Sequence, residues 1–148
     1  MYQHLSEEAN KAIKAANGIA HQYEQEYVGT EHVLLAIAEG AGGLGVKILK
    51  NHGLNYDMIK DQVDQLIKAS MEDTWVFGRL PGTPHYRNVL ARAIEEAGKL
   101  NSKEVCTEHI LLALLAEKGS VAQKTLAALG LSLGKVREEI RGIYKPIH

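Results

Sequence analysis

From Leu5 onward, apolar residues recur three or four positions apart: Leu5, Ala9, Ala12, Ile13, Ala16, Ala20 and Tyr23. That spacing lines one face of an α-helix, so the pattern predicts a helix with a single stripe turned to a core. Ser6 stands before it as an N-cap, with Glu7 and Glu8 placed to meet the positive end of the helix dipole. A second helix is read from Thr30, taken as its cap, through Val33, Leu34 and Ile37, until Gly40, Gly42 and Gly43 break the stripe. The third is expected over about Leu44 to Asn51. It stops at Gly53, a residue that takes the left-handed conformation of a helix C-terminus, with Leu54 folding back as the accompanying apolar contact. Asn55 then caps a fourth helix carrying Met58, Ile59, Val63 and Ile67. No segment alternates every second residue, so the pattern predicts no sheet.

The pattern then repeats. VGTEHVLLAI at Val28–Ile37 returns as VCTEHILLAL at Val105–Leu114, 77 positions later, and the register holds without gaps from Ser6–Val63 onto Thr83–Ile140. Thr30, Glu31, His32, Leu34, Leu35 and Ala36 reappear as Thr107, Glu108, His109, Leu111, Leu112 and Ala113, and Gly53-Leu54 as Gly130-Leu131. Agreement this broad is the mark of a duplication. In the second copy Thr83, Thr107, Ser120 and Ser132 are read as caps. The fold class expected is all-α: two pseudo-symmetric four-helix repeats packed as one domain, repeat one over about 5–68 and repeat two over about 83–144. Between them runs a linker, 69–82, ASMEDTWVFGRLPG, with Trp75 and Phe77. These aromatics are read first as pins holding the linker to the helices, and alternatively as a partner-binding patch.

Composition narrows the function classes. The 148 residues are 45% apolar and 24% charged, typical of a globular chain, and the net charge of −1 lacks the basic excess that nucleic acid or an anionic membrane would require. No apolar run approaches the roughly 20 residues that span a bilayer, and no secretion signal is visible at the start. One cysteine, Cys106, forms no internal disulfide, in keeping with a cytoplasmic location. His32 and His109 are read as histidines bonded within the helix pair. Glu-His neighbours do not put two ligands on one helical face and H-E-x-x-H is absent, so no metal or other cofactor is expected. Cys106 stands where the first repeat has Gly29 and is read as a small residue rather than a catalytic thiol. Gly130 to Val136, the nearest approach to a nucleotide-binding phosphate loop, has its glycines one residue too close and lacks the terminal hydroxyl. ATP hydrolysis is not expected of this chain.

A duplicated four-helix unit with the Gly-Thr-Glu-His-x-Leu-Leu helix start resembles the N-terminal domain of the Clp ATPases, the double Clp repeat, and within it the ClpC subgroup. The resemblance covers nearly the whole chain. It implies a non-enzymatic module that docks adaptor and substrate proteins for an attached unfoldase and protease. It also implies that Glu31 and Glu108 hold the guanidinium of phosphorylated arginine, with the phosphoryl group near the start of each repeat's first helix, at Ser6 and Thr83, beside Thr30 and Thr107. A carboxylate accepts paired hydrogen bonds from a guanidinium, and a helix start offers N–H groups to phosphate. The bland account of the two glutamates is helix chemistry alone, about 0.3–1 kcal/mol from the dipole. In the family the first helix commonly begins Phe/Tyr-Thr-x-Arg-Ala. Here Glu8 and His85 occupy the arginine's neighbourhood. Glu8 repels a phosphate, whereas protonated His85 attracts one, so the start of the second repeat suits a phosphoryl group better.

The leading expectation is therefore recruitment of substrates, arginine-phosphorylated ones among them, or of adaptors. The alternative is a stand-alone accessory or decoy protein that binds the Clp protease, its unfoldase or their ligands without delivering substrate. No nucleic acid or membrane partner is expected.

Overall fold

The computed structural model describes residues 4–22, 28–40, 43–73 and 84–144. Among them run eight helices: α1 (Glu7–Gln22), α2 (Thr30–Glu39), α3 (Leu44–Asn51), α4 (Tyr56–Asp73), α5 (Pro84–Lys99), α6 (Thr107–Ala116), α7 (Val121–Ala128) and α8 (Leu133–Tyr144). Every helix of the first half starts 77 residues before its counterpart, so the architecture is the all-α pair of pseudo-symmetric four-helix repeats that the pattern predicts.

Local chemistry sets most of the boundaries. Ser6 Oγ accepts from the Ala9 N–H at 3.1 Å, Asn55 Oδ1 from Met58 at 2.9 Å, and Ser120 Oγ from Gln123 at 3.1 Å, each a cap worth about 1 kcal/mol. Ser132 Oγ accepts from the Lys135 N–H at 3.3 Å in the same way. The glycine stops also form. Gly53 (φ 76°) donates to Lys50 O at 2.9 Å while Leu54 donates to Leu49 O at 2.9 Å. Gly130 (φ 90°) and Leu131 repeat the arrangement on Ala127 and Leu126. The two leucines are buried, so the backbone bonds and the apolar contact close each helix together.

Two expectations need correction. The caps of α2 and α6 are Gly29 and Cys106; Thr30 and Thr107 are the first helical residues. The N–H of each cap residue goes to a histidine three positions on: Gly29 to His32 Nδ1 at 2.8 Å, and Cys106 to His109 Nδ1 at 2.8 Å. The histidines thus take the part that Glu or Gln plays in a capping box. The threonine hydroxyls are left to work across the repeat boundary instead. Thr30 Oγ1 accepts from the Ala122 N–H at 3.2 Å at the start of α7, and Thr107 Oγ1 from the Gly45 N–H at 2.9 Å at the start of α3.

There is also a small sheet, against expectation. β1 (His4–Leu5) pairs in parallel with β2 (Glu104–Val105), and the Ser6 N–H donates to Val105 O at 2.9 Å. Two residues per strand are too few to show alternation in a sequence. The pairing ties the entrance of α1 to the residues just before α6.

α2 and α6 form the centre. Val33, Leu34, Leu35, Ala36 and Ile37 are buried, as are Ile110 through Leu115, so both helices are apolar nearly all round. Such helices belong inside a domain, wrapped by others. α1 packs on α2 and α5 on α6, while α3 lies on α6 and α7 on α4 and α2. Each repeat's third helix therefore sits on the other repeat.

Candidate functional site: two helix starts that face the opposite repeat

The same interlocking decides which residues meet at the Thr-Glu-His segments. Glu31 belongs to repeat one, but the threonine beside it bonds the start of α7, and the charge of His85 at the start of α5 acts on its carboxyl. Glu108 belongs to repeat two, yet Thr107 bonds the start of α3 and the Cys106 thiol meets Ser6 at the start of α1. Ser6 is therefore a neighbour of the Glu108 segment, and the α5 entrance a neighbour of Glu31. Sequence order alone would put Ser6 with Glu31.

At the Glu31 corner the carboxylate lies back against its own helix cap. A Cβ on Gly29 would fall 2.5 Å from Glu31 Oε1, 2.9 Å from Cδ and 3.0 Å from Oε2. The missing Cβ leaves room for the Glu31 carboxylate and does not serve the backbone, since φ −110° and ψ 175° suit any residue. Glu31 is buried. Burial pushes its carboxyl above the usual range, opposed by its own backbone N–H and by the charge of His85. No ion pair to Glu31 is formed among the described residues. A desolvated carboxylate of this kind gains from a cation that reaches it.

Around the same corner stands a polar network that sequence reasoning missed. Glu117, at the end of α6, accepts from His85 Nδ1 at 2.6 Å, Asn88 Nδ2 at 2.9 Å and Arg92 Nε at 3.1 Å. Burial would raise the Glu117 carboxyl, but the bonds from Asn88, His85 and Arg92 outweigh it and hold the group below its ordinary value. One signal was legible. Glu117 falls where the first repeat has Gly40, so an ionisable group replaces a helix stop. In the first repeat the matching register, Lys11, Ala15, Ala36, Glu39 and Gly40, lines an open cleft of about 150 Å³.

The Glu108 corner differs. Its cap residue Cys106 has the same backbone (φ −105°, ψ 173°) but carries a Cβ, so Glu108 is denied the resting place that Glu31 uses. Glu108 is buried as well. Glu8 lies alongside: a Cβ on Gly43 would meet Thr107 Oγ1 at 2.7 Å and Glu8 Cβ at 3.3 Å. The Cys106 thiol is pushed up by burial first and by the negative charge of Glu108 second, which is not the setting of a reactive thiolate. Donor atoms of Cys106, Glu108 and His109 do come within 4.8 Å of one another. His109 Nδ1 is already the acceptor for the Cys106 N–H, so a metal taking that atom would undo the helix cap. Trp75, Phe77 and Thr83 lie outside the described residues.

The contrast at the cap yields a test. Gly29→Ala is expected to stay within about 1 kcal/mol of wild-type stability, because the atom displaced is the far end of a flexible side chain. The Glu31 carboxylate should swing away from the cap. A thermal melt reads the first effect and the carboxyl carbon resonance of Glu31 the second; an unmoved resonance would contradict this account.

Comparison with known proteins agrees with this architecture. The family described as the Clp repeat (R) N-terminal domain matches residues 4–129 and again 82–147. The "Negative regulator of genetic competence ClpC/MecB" of Bacillus subtilis is 34% identical over 140 residues, as is the "ATP-dependent Clp protease ATP-binding subunit ClpA homolog" of Guillardia theta. Each alignment covers 95% of this chain but 17% of the relative, so the chain spans about a sixth of their length. The N-terminal domain of the chaperone ClpD from Arabidopsis thaliana superposes with a TM-score of 0.65 at 19% identity, covering 90% of each chain, a likeness of fold. With two helical repeats in one register and the family matched over both, this chain belongs to the Clp repeat N-terminal domain family.

Proposed function

We propose that this chain is a non-catalytic recruiting module of a Clp unfoldase–protease system, working in the cytoplasm. It captures substrate or adaptor proteins through cationic side chains, arginine and phosphorylated arginine among them. The observation that carries this reading is Glu31, a buried carboxylate at a helix start, without an ion pair among the described residues and facing the entrance of another helix. A guanidinium meets such a carboxylate with paired hydrogen bonds, and a phosphoryl group finds backbone donors at the neighbouring helix start. Glu108 offers a second carboxylate in the matching position. Names of the relatives, an ATP-binding subunit of the Clp protease among them, point to the assembly in which such a module would serve.

Calorimetric titration with free phosphoarginine tests the reading. Saturable binding is expected, weakened about tenfold or more by Glu31→Ala, as befits loss of a charge-assisted bidentate contact. No binding at millimolar ligand would remove the degradation-mark reading and return both glutamates to helix-start chemistry.

A further inference from the structure

We infer that the His85–Glu117 pair makes the corner beside Glu31 the one that takes a phosphoryl group, so that the chain holds one such ligand and not two, with Glu117 as the residue that positions His85. This rests on the reading of Glu31 as a guanidinium contact. Glu117 is buried and bonded by three donors, so its carboxylate is ionised and can act as acceptor alone. The proton of that contact therefore sits on His85 Nδ1, which fixes the ring's orientation. The other ring nitrogen, Nε2, makes no hydrogen bond among the described residues, and the His85 side chain is 47% exposed. Its Cε1 lies 4.0 Å from the Cβ position of Gly119, against the turn that leads into α7, whose first helical turn holds Thr30. The ring is thus held where the starts of α2, α5 and α7 converge.

With Nδ1–H held by the Glu117 carboxylate, the imidazolium form of His85 offers Nε2–H as a donor to a phosphoryl oxygen. Among the described residues, Glu117 from the end of α6 bonds the ring, Glu31 from α2 is within its electrostatic reach, and Arg92 from α5 shares the Glu117 carboxylate. Among the described residues nothing equivalent stands at the other corner. The residue matching His85 is Glu8, that matching Glu117 is Gly40, and that matching Arg92 is Ala15. Lys11, which matches Asn88, is turned to Glu7 at 3.6 Å. A phosphoryl group at the start of α1 would meet the negative side chain of Glu8 beside Thr107.

The test is titration of the full chain with phosphoarginine and, separately, with arginine. One phosphoarginine per chain is expected. Glu117→Ala and His85→Ala should each weaken phosphoarginine about tenfold, the worth of one charge-assisted bond, and leave arginine nearly unchanged. Glu117→Gln, whose carbonyl still accepts from Nδ1–H, should recover part of the loss, and imidazole nitrogen resonances should show His85 protonated at Nδ1 in wild type and not held so in Glu117→Ala. Two equal phosphoarginine sites, or unchanged affinity in both alanine variants, would overturn the inference while leaving the Glu31 reading standing. A wild-type chain that binds neither ligand would remove both.

Discussion

Gly45→Val is expected to cost about 3 kcal/mol of folding stability, near the upper end for overpacking a tight contact. A Cβ at residue 45 would sit 2.9 Å from Thr107 Cβ, 3.0 Å from Thr107 Oγ1 and 3.1 Å from the Thr107 carbonyl carbon. The last of these is backbone, which cannot rotate out of the way, so α3 must lift from α6. Lifting also stretches the 2.9 Å bond from the Gly45 N–H to Thr107 Oγ1, leaving a buried donor and a buried hydroxyl to lose their partner. The control is Gly18→Ala. Gly18 is exposed within α1 with nothing in reach of a Cβ, so alanine there should stabilise by about 0.5–1 kcal/mol. Urea denaturation of the two variants reads both signs. A Gly45→Val protein as stable as wild type would refute the close seam between the repeats.

The second large effect is acid lability set by the capping histidines. His32 is completely buried, and burial lowers its pKa from 6.5 to about 4. His109, in the matching place, is also lowered by burial, against the charges of Glu108 and Glu96. Both Nδ1 atoms accept a backbone N–H, which requires an unprotonated nitrogen. In the unfolded chain a histidine binds its proton below about pH 6.5, whereas folded His32 refuses it until about pH 4. The unfolded state thus holds more protons across that window, and stability falls as pH falls through it. The loss from His32 is on the order of 3 kcal/mol, and His109 adds in the same direction.

Two carboxyls modify this curve with opposite signs. Glu31, raised by burial, is easier to keep folded when protonated, so its contribution grows as pH drops towards its ordinary value. Glu117, held low by its three bonds despite burial, contributes above the ordinary carboxylate range and loses that contribution at more acid pH. Because Glu117 acts below the histidine window, the fall between about pH 6.5 and 5 belongs to the histidines. His32→Gln is the discriminating variant. A glutamine at this position reaches back to the cap N–H as in a capping box, yet does not titrate. Its stability should be flatter than wild type between about pH 7 and 5 in denaturant titrations, and a wild-type profile already flat there would contradict the assignment.

The helices were legible because their causes are local. The three-and-four spacing of Ala9, Ala12 and Ala16, or the Gly53-Leu54 stop, involves residues within two turns of one another, and such contacts are written consecutively in the chain. Duplication added a second reading of each boundary, and all four helix starts recur at the 77-residue offset. Thr30 and Thr107 misled for an instructive reason. A threonine before an apolar run has the form of a cap, but here the cap's own N–H is met by a histidine at 2.8 Å, and the hydroxyl is taken by a helix from the other repeat. Nothing local distinguishes the two uses.

Sequence alone thus determined that this protein is a doubled set of four helices with a carboxylate at the start of each central one, since periodicity, glycine stops and capping residues act over a few positions. Tertiary structure alone decided which helix entrance each carboxylate faces. That pairing depends on the β1–β2 clamp between His4–Leu5 and Glu104–Val105, and on the docking of α3 on α6 and of α7 on α2 and α4. It also depends on whether the cap residue carries a Cβ, harmless to the backbone at Cys106 yet 2.5 Å from the Glu31 carboxylate if placed at Gly29. These are contacts between segments tens of residues apart. Their energies arise when close-packed surfaces exclude water and one another, and no spacing along the chain records that.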